Sequence, residues 1–591
     1  MAPADHLLAR LRAEAIGEGT PITTPFGVRP IVYADYTASG RALGFIEDAI
    51  RSRVLPRYAN THTESSLTGR HTTMLREDAR TILHRALGGE PDVSVIFCGS
   101  GSTAAIDRLI GVLNLRVPAD LDAKYRLTSL IPADQRPVVF VGPFEHHSNE
   151  LPWRESICDV VRIDEDDTGH IDLAALAAAL RANADRPLRI GAFSAASNVT
   201  GILSDTHTIS ALLHEHGAVA VWDYAAAAPY VDLSMRARDD DPLTAKDVLV
   251  FSPHKFLGGP GSPGVLAIRT SLLTNTVPDV VGGGTVAYVN ASEHRYLADP
   301  VHREEAGTPA IIESIRAGMA MWVKQQVGTA LIAQREHSFI TRAFARWREV
   351  PALTILGSLT APRLGIVSFT VRTPTGRHLH HNAVVAILSD LFGVQARGGC
   401  SCAGPYGHRL LGIDDALSEH VAHLVDQGCA GLKPGWTRVS FSYTLDESTF
   451  EYLVEAVALT AQYGHRLLPA YRLDPTTGLW HHRASPPTPV VGIADLLHGA
   501  LDPHGALDLH GALDLHGALD LHGALDLHGA LDRPPTAQPL TGPVTGRLPE
   551  LLAEARALLR GLPEPVLRAG EGIGEIPDPS RHWFDVAHPS T

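Results

Sequence analysis

Val248-Leu249-Val250-Phe251-Ser252-Pro253-His254-Lys255-Phe256-Leu257-Gly258-Gly259-Pro260-Gly261 is the stretch on which the fold reading turns. Four continuous apolar residues bounded by turn residues describe a strand buried on both faces. The lysine stands just past the strand's carboxyl end, where the open crevice of a parallel α/β sheet holds its ligand. The chain has five lysines in 591 residues, so an amine at that point is a scarce residue in a chemically useful place.

Working outward, similar runs recur at Val93 to Phe97, Pro137 to Val141, Arg189 to Phe193 and Ala218 to Trp222, with helical stretches such as Leu173 to Ala182 and Thr206 to His216 between them. Continuous apolar strands alternating with helices predict an α/β fold, a mostly parallel sheet covered on both faces, over 31–295. Residues 1–30 read as a helix from Asp5 to Glu18 and a connector. A smaller α+β domain is predicted over 296–472. It has a long helix from Ala310 to Arg348, a strand from Leu364 to Val371, a helix near 381–392, a strand from Thr437 to Tyr443 and a helix from Asp446 to Tyr463. Residues 473–533 read as a linker holding six His-Gly-Ala-Leu-Asp copies that begin at His498, His504, His510, His516, His522 and His528. A period of six turns successive histidines about 600° on a helix, so they share no face, and a low-complexity, disordered linker is expected rather than a metal array. The tail, 534–591, carries one amphipathic helix from Leu548 to Leu559, expected to dock on the core or on a partner.

Composition excludes several classes. Apolar residues make up 45% and charged residues 19%, a globular balance. A net charge of −15 gives no footprint for nucleic acid or an anionic membrane. No apolar run reaches membrane-spanning length and no signal peptide is read. Five cysteines, Cys98, Cys158, Cys400, Cys402 and Cys429, form no disulfide framework and suit a reducing, cytoplasmic setting.

The ends of successive predicted strands carry polar groups of distinct chemistry. Asp223 follows Ala218 to Trp222, and Gly99-Ser100-Gly101-Ser102-Thr103 links a strand to a helix. Glu145-His146-His147-Ser148-Asn149 follows Pro137 to Val141, and Ser197-Asn198-Val199-Thr200-Gly201 follows Arg189 to Phe193. Pyridoxal phosphate needs an amine, an acid at its ring nitrogen, an anion cradle and a group stacked on its ring. Lys255, Asp223, the Gly-Ser turn with Ser252 and His254, and one imidazole answer those needs in turn. Asn198 is placed to hydrogen-bond the cofactor's phenolic oxygen, and Thr285 of Gly282-Gly283-Gly284-Thr285 offers one more hydroxyl to the phosphate.

In this order, with Tyr33-Ala34-Asp35-Tyr36-Thr37-Ala38 before them and Glu305-Ala306-Gly307-Thr308-Pro309 after, these motifs resemble class V aminotransferases over about 30–465, most of all the cysteine desulfurase and selenocysteine lyase branch. The resemblance implies a fold type I enzyme, a homodimer with sites at the subunit interface. By it Lys255 anchors the cofactor, Asp223 pairs with the ring nitrogen and His146 stacks on the ring. Ser102, Thr103, Ser252 and His254 hold the phosphate, and Thr285 reaches it from the partner subunit. Arg438 would clamp the substrate carboxylate with its two-pronged guanidinium. Arg397-Gly398-Gly399-Cys400-Ser401-Cys402-Ala403 matches the branch's Arg-x-Gly-x-x-Cys-Ala loop. That register implies Arg397 at the substrate and Cys402 as the nucleophile that takes sulfur from L-cysteine as a persulfide, leaving alanine, with a sulfur-acceptor protein as partner. No metal is implied.

The chain departs from the branch at Ala226, where a glutamine is usual, at Cys400-Ser401, where His-His is usual, and in the long stretch from Gly404 to Gly435. These departures keep open an aminotransferase, epimerase or C–S lyase without persulfide chemistry and, more remotely, a non-catalytic binding protein with this fold.

Overall fold

The computed structural model describes residues 3–61, 63–485, 492–494, 496–497, 544–569 and 583–587. The His-Gly-Ala-Leu-Asp copies lie outside the described residues.

Seven strands make the main sheet: β1 (Val93–Cys98), β2 (Val138–Val141), β3 (Asp159–Arg162), β4 (Arg189–Ser194), β5 (Val219–Asp223), β6 (Val248–Phe251) and β7 (Gly264–Arg269), in the spatial order β1-β7-β6-β5-β4-β2-β3. All pairings from β3 through β6 are parallel, and β7 alone runs antiparallel, between β6 and β1. The expected large, mostly parallel sheet is therefore present. All but the edge strand β3 are buried on both faces, which explains their largely apolar runs. Register sets Asp223 beside Ser194 on one side and Val250 on the other, so the carboxyl ends of β4, β5 and β6 finish level.

The second layer is a mixed sheet of β8 (Leu353–Ile355), β9 (Ile366–Arg372), β10 (His378–Leu379), β11 (Arg397–Gly399), β12 (Trp436–Ser440), β13 (Leu567–Ala569) and β14 (Phe584–Ala587). Its order is β11-β12-β9-β10-β14-β13, with β8 paired to β9. Helices His381–Phe392 and Glu447–Tyr463 pack in its core. Asp446 caps the second of these by accepting from the Thr449 N–H.

Three expectations change, and a fourth, left open between the core and a partner, is decided for the core. The single helix from Ala310 to Arg348 is two, Ile311–Val327 and Thr329–Trp347, broken at Gly328, whose φ of 81° no helical residue can hold. The N-terminal helix is shorter, Pro3–Ala13, because Gly17 and Gly19 both take positive φ. Residues just beyond 472 are no linker: Tyr471–Leu473 pairs with Trp480–His482, and the Trp480 indole donates to His380 Nδ1 at 3.0 Å. The tail helix, Leu548–Gly561, docks on the chain itself, burying Leu548, Leu551, Ala555 and Leu559 in the second core.

Candidate active site

A cavity of about 290 Å³ opens where the level ends of β4, β5 and β6 meet the second layer. It is lined by Ser102, Thr103, His146, Asn198, Asp223, Ser252, His254, Lys255, Arg397, Cys402 and Arg438, eleven of the twelve residues singled out from sequence. Thr285 is not among them. It is buried elsewhere, its hydroxyl donating to the Gly282 carbonyl at 2.7 Å, while Gly282 and Gly283 beside it are exposed.

The floor comes from the main sheet. Lys255 sits on the 3-10 turn Pro253–Lys255 directly after β6. Burial pushes its amine down to about 8, against the pull of Asp223, with Arg438 and Arg397 adding to the fall. Asp223, ending β5, is fully buried and accepts the Ala225 N–H at 2.7 Å. Burial raises its carboxyl above the ordinary range, so a cation facing it would be welcomed.

One wall is the start of helix Gly101–Val112. Gly101 has φ +62°, and a Cβ there would stand 2.9 Å from Ser252 Oγ and 3.1 Å from the His254 ring. A Cβ on Gly264 would meet the Gly101 carbonyl at 1.9 Å. The turn can therefore be built only of glycine, and it leaves a helix N-terminus flanked by Ser102, Thr103, Ser252 and His254 facing the cavity. The Ser102 backbone N–H donates to Ser252 Oγ at 2.8 Å, tying the helix start to the turn after β6. Burial and the Lys255 charge hold His254 down at about 4, so it faces the site as a neutral imidazole.

His146 forms the opposite side. Its Nδ1 accepts the Ser148 N–H at 3.1 Å, which leaves the ring proton on Nε2. Burial, then Lys255, hold this ring at about 4. Beneath it the buried Glu145 accepts from Asn149 Nδ2 at 2.5 Å, the Ser194 N–H at 3.0 Å and the Ser194 hydroxyl at 2.7 Å. Burial nevertheless raises its carboxyl to about 7.

The second layer supplies the roof. Arg438 on β12 is buried, its Nη1 donating to the Asn198 carbonyl at 3.0 Å and its Nη2 to Asp35 Oδ1 at 2.9 Å. Arg397 on β11 is half exposed, its Nε donating to Asp35 Oδ2 at 2.9 Å. Cys402 is exposed and lines the cavity; Cys400 does not line it and packs partly buried against the main core. Ser401 and Cys402 both take positive φ, 51° and 55°, in a turn closed by the Ala403 N–H on the Cys400 carbonyl at 3.1 Å. Such a conformation is costly for residues with a Cβ and must be held from outside. Three hydrogen bonds hold it: Asn198 Nδ2 to the Ser401 carbonyl at 2.8 Å, the His147 N–H to the Cys402 carbonyl at 2.8 Å, and the Gly404 N–H to His147 Nε2 at 3.0 Å.

Sequence reasoning missed three contributors. Asp35, His147 and Ser148 stand in the sequence motifs without a role of their own. The doubled histidine was the available signal for His147; nothing local announced that Asp35 would join two arginines. Among the described residues no group of three or more His, Cys, Asp or Glu is placed to hold a metal ion, and no helix is long and apolar enough to cross a membrane.

Comparison with known proteins bears on the same region. The family model described as Aminotransferase class-V matches residues 32–452. A cysteine desulfurase of Dickeya dadantii (strain 3937) is 28% identical over 383 residues, 64% of this chain and 84% of that protein. A probable cysteine desulfurase of Streptomyces coelicolor is 29% identical over 381 residues, with the same shares. Among solved structures, the apo cysteine desulfurase from Thermococcus onnurineus NA1 superposes with a TM-score of 0.58 at 23% identity, covering 73% of this chain and 94% of that one. A cysteine desulfurase from Escherichia coli gives 0.57 at 22% identity, covering 76% and 98%. At these identities the structural likenesses speak for the fold.

Proposed function

Because the chain belongs to the class-V aminotransferase family and has its fold type I architecture, we propose that it is a pyridoxal phosphate-dependent cysteine desulfurase, selenocysteine lyase-like in its site. One observation carries this reading: Lys255, Asp223, His146 and Cys402, drawn from four separate segments, line one cavity. The residues fit the cofactor, since the glycine-built cradle suits a phosphate and the buried Asp223 suits a cation.

When bound, pyridoxal phosphate withdraws electrons from the substrate α-carbon. Lys255 would hold it covalently and, once released, its free amine, held near 8, would move the α-proton of the substrate. Asp223 keeps a proton on the ring nitrogen. His146, a neutral imidazole, would stack on the ring, and Asn198 would border its phenolic side. Ser102, Thr103, Ser252 and His254 hold the phosphate, and Thr285, beside an exposed glycine turn, is assigned to the cradle of a second copy in a homodimer. Arg438 takes the substrate carboxylate and Arg397 guards its outer side.

Cys402 attacks the substrate sulfur. An S–S bond forms as the substrate Cβ–S bond breaks, Cβ gains a proton, and alanine leaves while Cys402 carries a persulfide. Cysteine and one thiol become alanine and one persulfide, so no outside oxidant enters. A sulfur-acceptor protein then discharges Cys402, whose exposure suits that exchange. Five free cysteines with no disulfide among them support a cytoplasmic setting.

The test is to feed L-cysteine and a thiol reductant to the purified yellow protein. Alanine and sulfide are expected in equal amounts, Cys402→Ser is expected to lose both, and Cys400→Ser to keep at least about half. Full activity in Cys402→Ser removes the persulfide step. A second reading is favoured by Ala226, which lines the cavity where the branch usually has glutamine. It is an aminotransferase, epimerase or C–S lyase of the same family, and turnover of a sulfur-free amino acid untouched by Cys402→Ser would select it. A protein with no cofactor absorbance would instead be a binding protein with this fold.

A further inference from the structure

Arg397 and Arg438 stand directly opposite each other on the antiparallel strands β11 and β12. Like charges so placed repel. Asp35 lies between them, one carboxylate oxygen on each guanidinium, both at 2.9 Å. Backbone pairing fixes it there. Val32–Tyr33 runs parallel to Val394–Gln395, the residues just before β11, and the Ala34 N–H donates to the Gln395 carbonyl at 3.0 Å. The Ser440 N–H, at the end of β12, donates to the Ala34 carbonyl at 2.8 Å. Asp35 is thus carried on the very backbone that pairs with both arginine strands.

The charge count follows. Lys255 and Asp223 are committed to the cofactor in the reading above. At the roof, away from the phosphate cradle, the Arg397 and Arg438 guanidinium groups and the Asp35 carboxylate that joins them carry a local surplus of one positive charge. That surplus matches one carboxylate.

We propose that Asp35 is a specificity-determining residue that makes this site select amino acids with a single carboxylate and reject those with an anionic side chain, such as aspartate or cysteine sulfinate. Asp35 holds Arg397 through its Nε and offsets its charge, so a second anionic group meets a weakened attraction from the outer arginine and repulsion from Asp35. The inference rests on Arg438 as the substrate-carboxylate clamp, and is independent of any sulfur chemistry.

The experiment is calorimetric titration of the cofactor-loaded protein with L-alanine and with L-aspartate, which differ by one carboxylate and contain no sulfur. Wild type is expected to prefer alanine. Asp35→Asn, similar in size and uncharged, is expected to shift the alanine-to-aspartate affinity ratio about tenfold or more towards aspartate. Adding Arg397→Gln to that variant is expected to abolish the gain. An Asp35→Asn ratio equal to wild type, or a gain that survives Arg397→Gln, overturns the proposal. Should Asp35→Asn fail to fold by thermal unfolding, Arg397→Gln alone decides. It leaves Asp35 opposed only by Arg438, so aspartate affinity must fall at least about threefold relative to alanine, and an unchanged ratio overturns the idea. Failure of the desulfurase reading would appear separately, as no sulfide from L-cysteine in a protein whose binding ratio still responds to Asp35.

Discussion

His147 gives both its backbone N–H and its ring Nε2 to the loop that carries Cys402. Because Nε2 accepts, the ring proton sits on Nδ1, and the bond exists only while the ring is neutral. Burial lowers its pKa, which keeps it neutral, though the neighbouring Glu150 pulls the other way. His147 does not line the cavity, so it is a positioning residue. His147→Ala is expected to lower kcat for cysteine about tenfold with KM nearly unchanged, since a misplaced nucleophile costs rate rather than ground-state binding. The same variant should speed alkylation of Cys402 by iodoacetamide several-fold, a readout that a general loss of stability without loop release would not give. At this scale the sequence pointed to residues that line one cavity, because strand ends converge in parallel sheets. It could not say which of two adjacent histidines lines the cavity and which grips the loop. That depends on how the backbone turns after β2.

Glu305, in Glu-Ala-Gly-Thr-Pro, shows an element-scale latch. Its carboxylate accepts from Arg76 Nη2 at 2.7 Å, from Arg80 Nη1 and Nη2, each at 2.9 Å, and from the Phe97 N–H at 2.8 Å, tying helix Leu67–Ala86 to β1. Burial alone would raise its carboxyl. The Arg80 and Arg76 charges with their hydrogen bonds overcome that and hold it near 2. With a folded pKa below the unfolded one, its stabilising contribution is present above about 4.5 and is lost as pH falls towards 2. Glu305→Gln is expected to cost roughly 3 kcal/mol at pH 7, and much less at pH 2–3, when urea unfolding is followed at each pH. The motif was readable as a motif, but its arginine partners lie more than 220 residues away in sequence and no local pattern joins them. Local rules also missed the break at Gly328, since an isolated glycine inside a helical pattern is often tolerated.

On the scale of the whole molecule, the chain returns to the second layer after its repeats. Helix Leu548–Gly561 packs on Glu447–Tyr463, with Arg556 reaching Glu455 at 3.2 Å, and β14 adds a parallel strand beside β10. Trp583 stacks on His378 at 4.3 Å between ring centroids, and Trp583 and Phe584 share a crevice with Leu417, Val421 and Leu424 from the stretch that follows Cys402. The described part of the tail is therefore packed into the second core. Leu551→Ala and Leu559→Ala are each expected to cost about 2–4 kcal/mol in urea unfolding, which surface leucines on a free tail would not. A loss below about 0.5 kcal/mol in both would mean the helix contributes no packing.

The sequence by itself determined the alternation of strands and helices, the lysine after a buried strand, and the acid, glycine turn and imidazole at neighbouring strand ends. These follow from periodicity and turn chemistry, which act over a few residues. Only the tertiary structure decided that Asp35 joins Arg397 to Arg438, that His147 and Asn198 hold the Cys402 turn in left-handed backbone, and that the tail helix closes the second core. Each of these is a contact between groups a hundred or more residues apart, fixed by sheet register and burial.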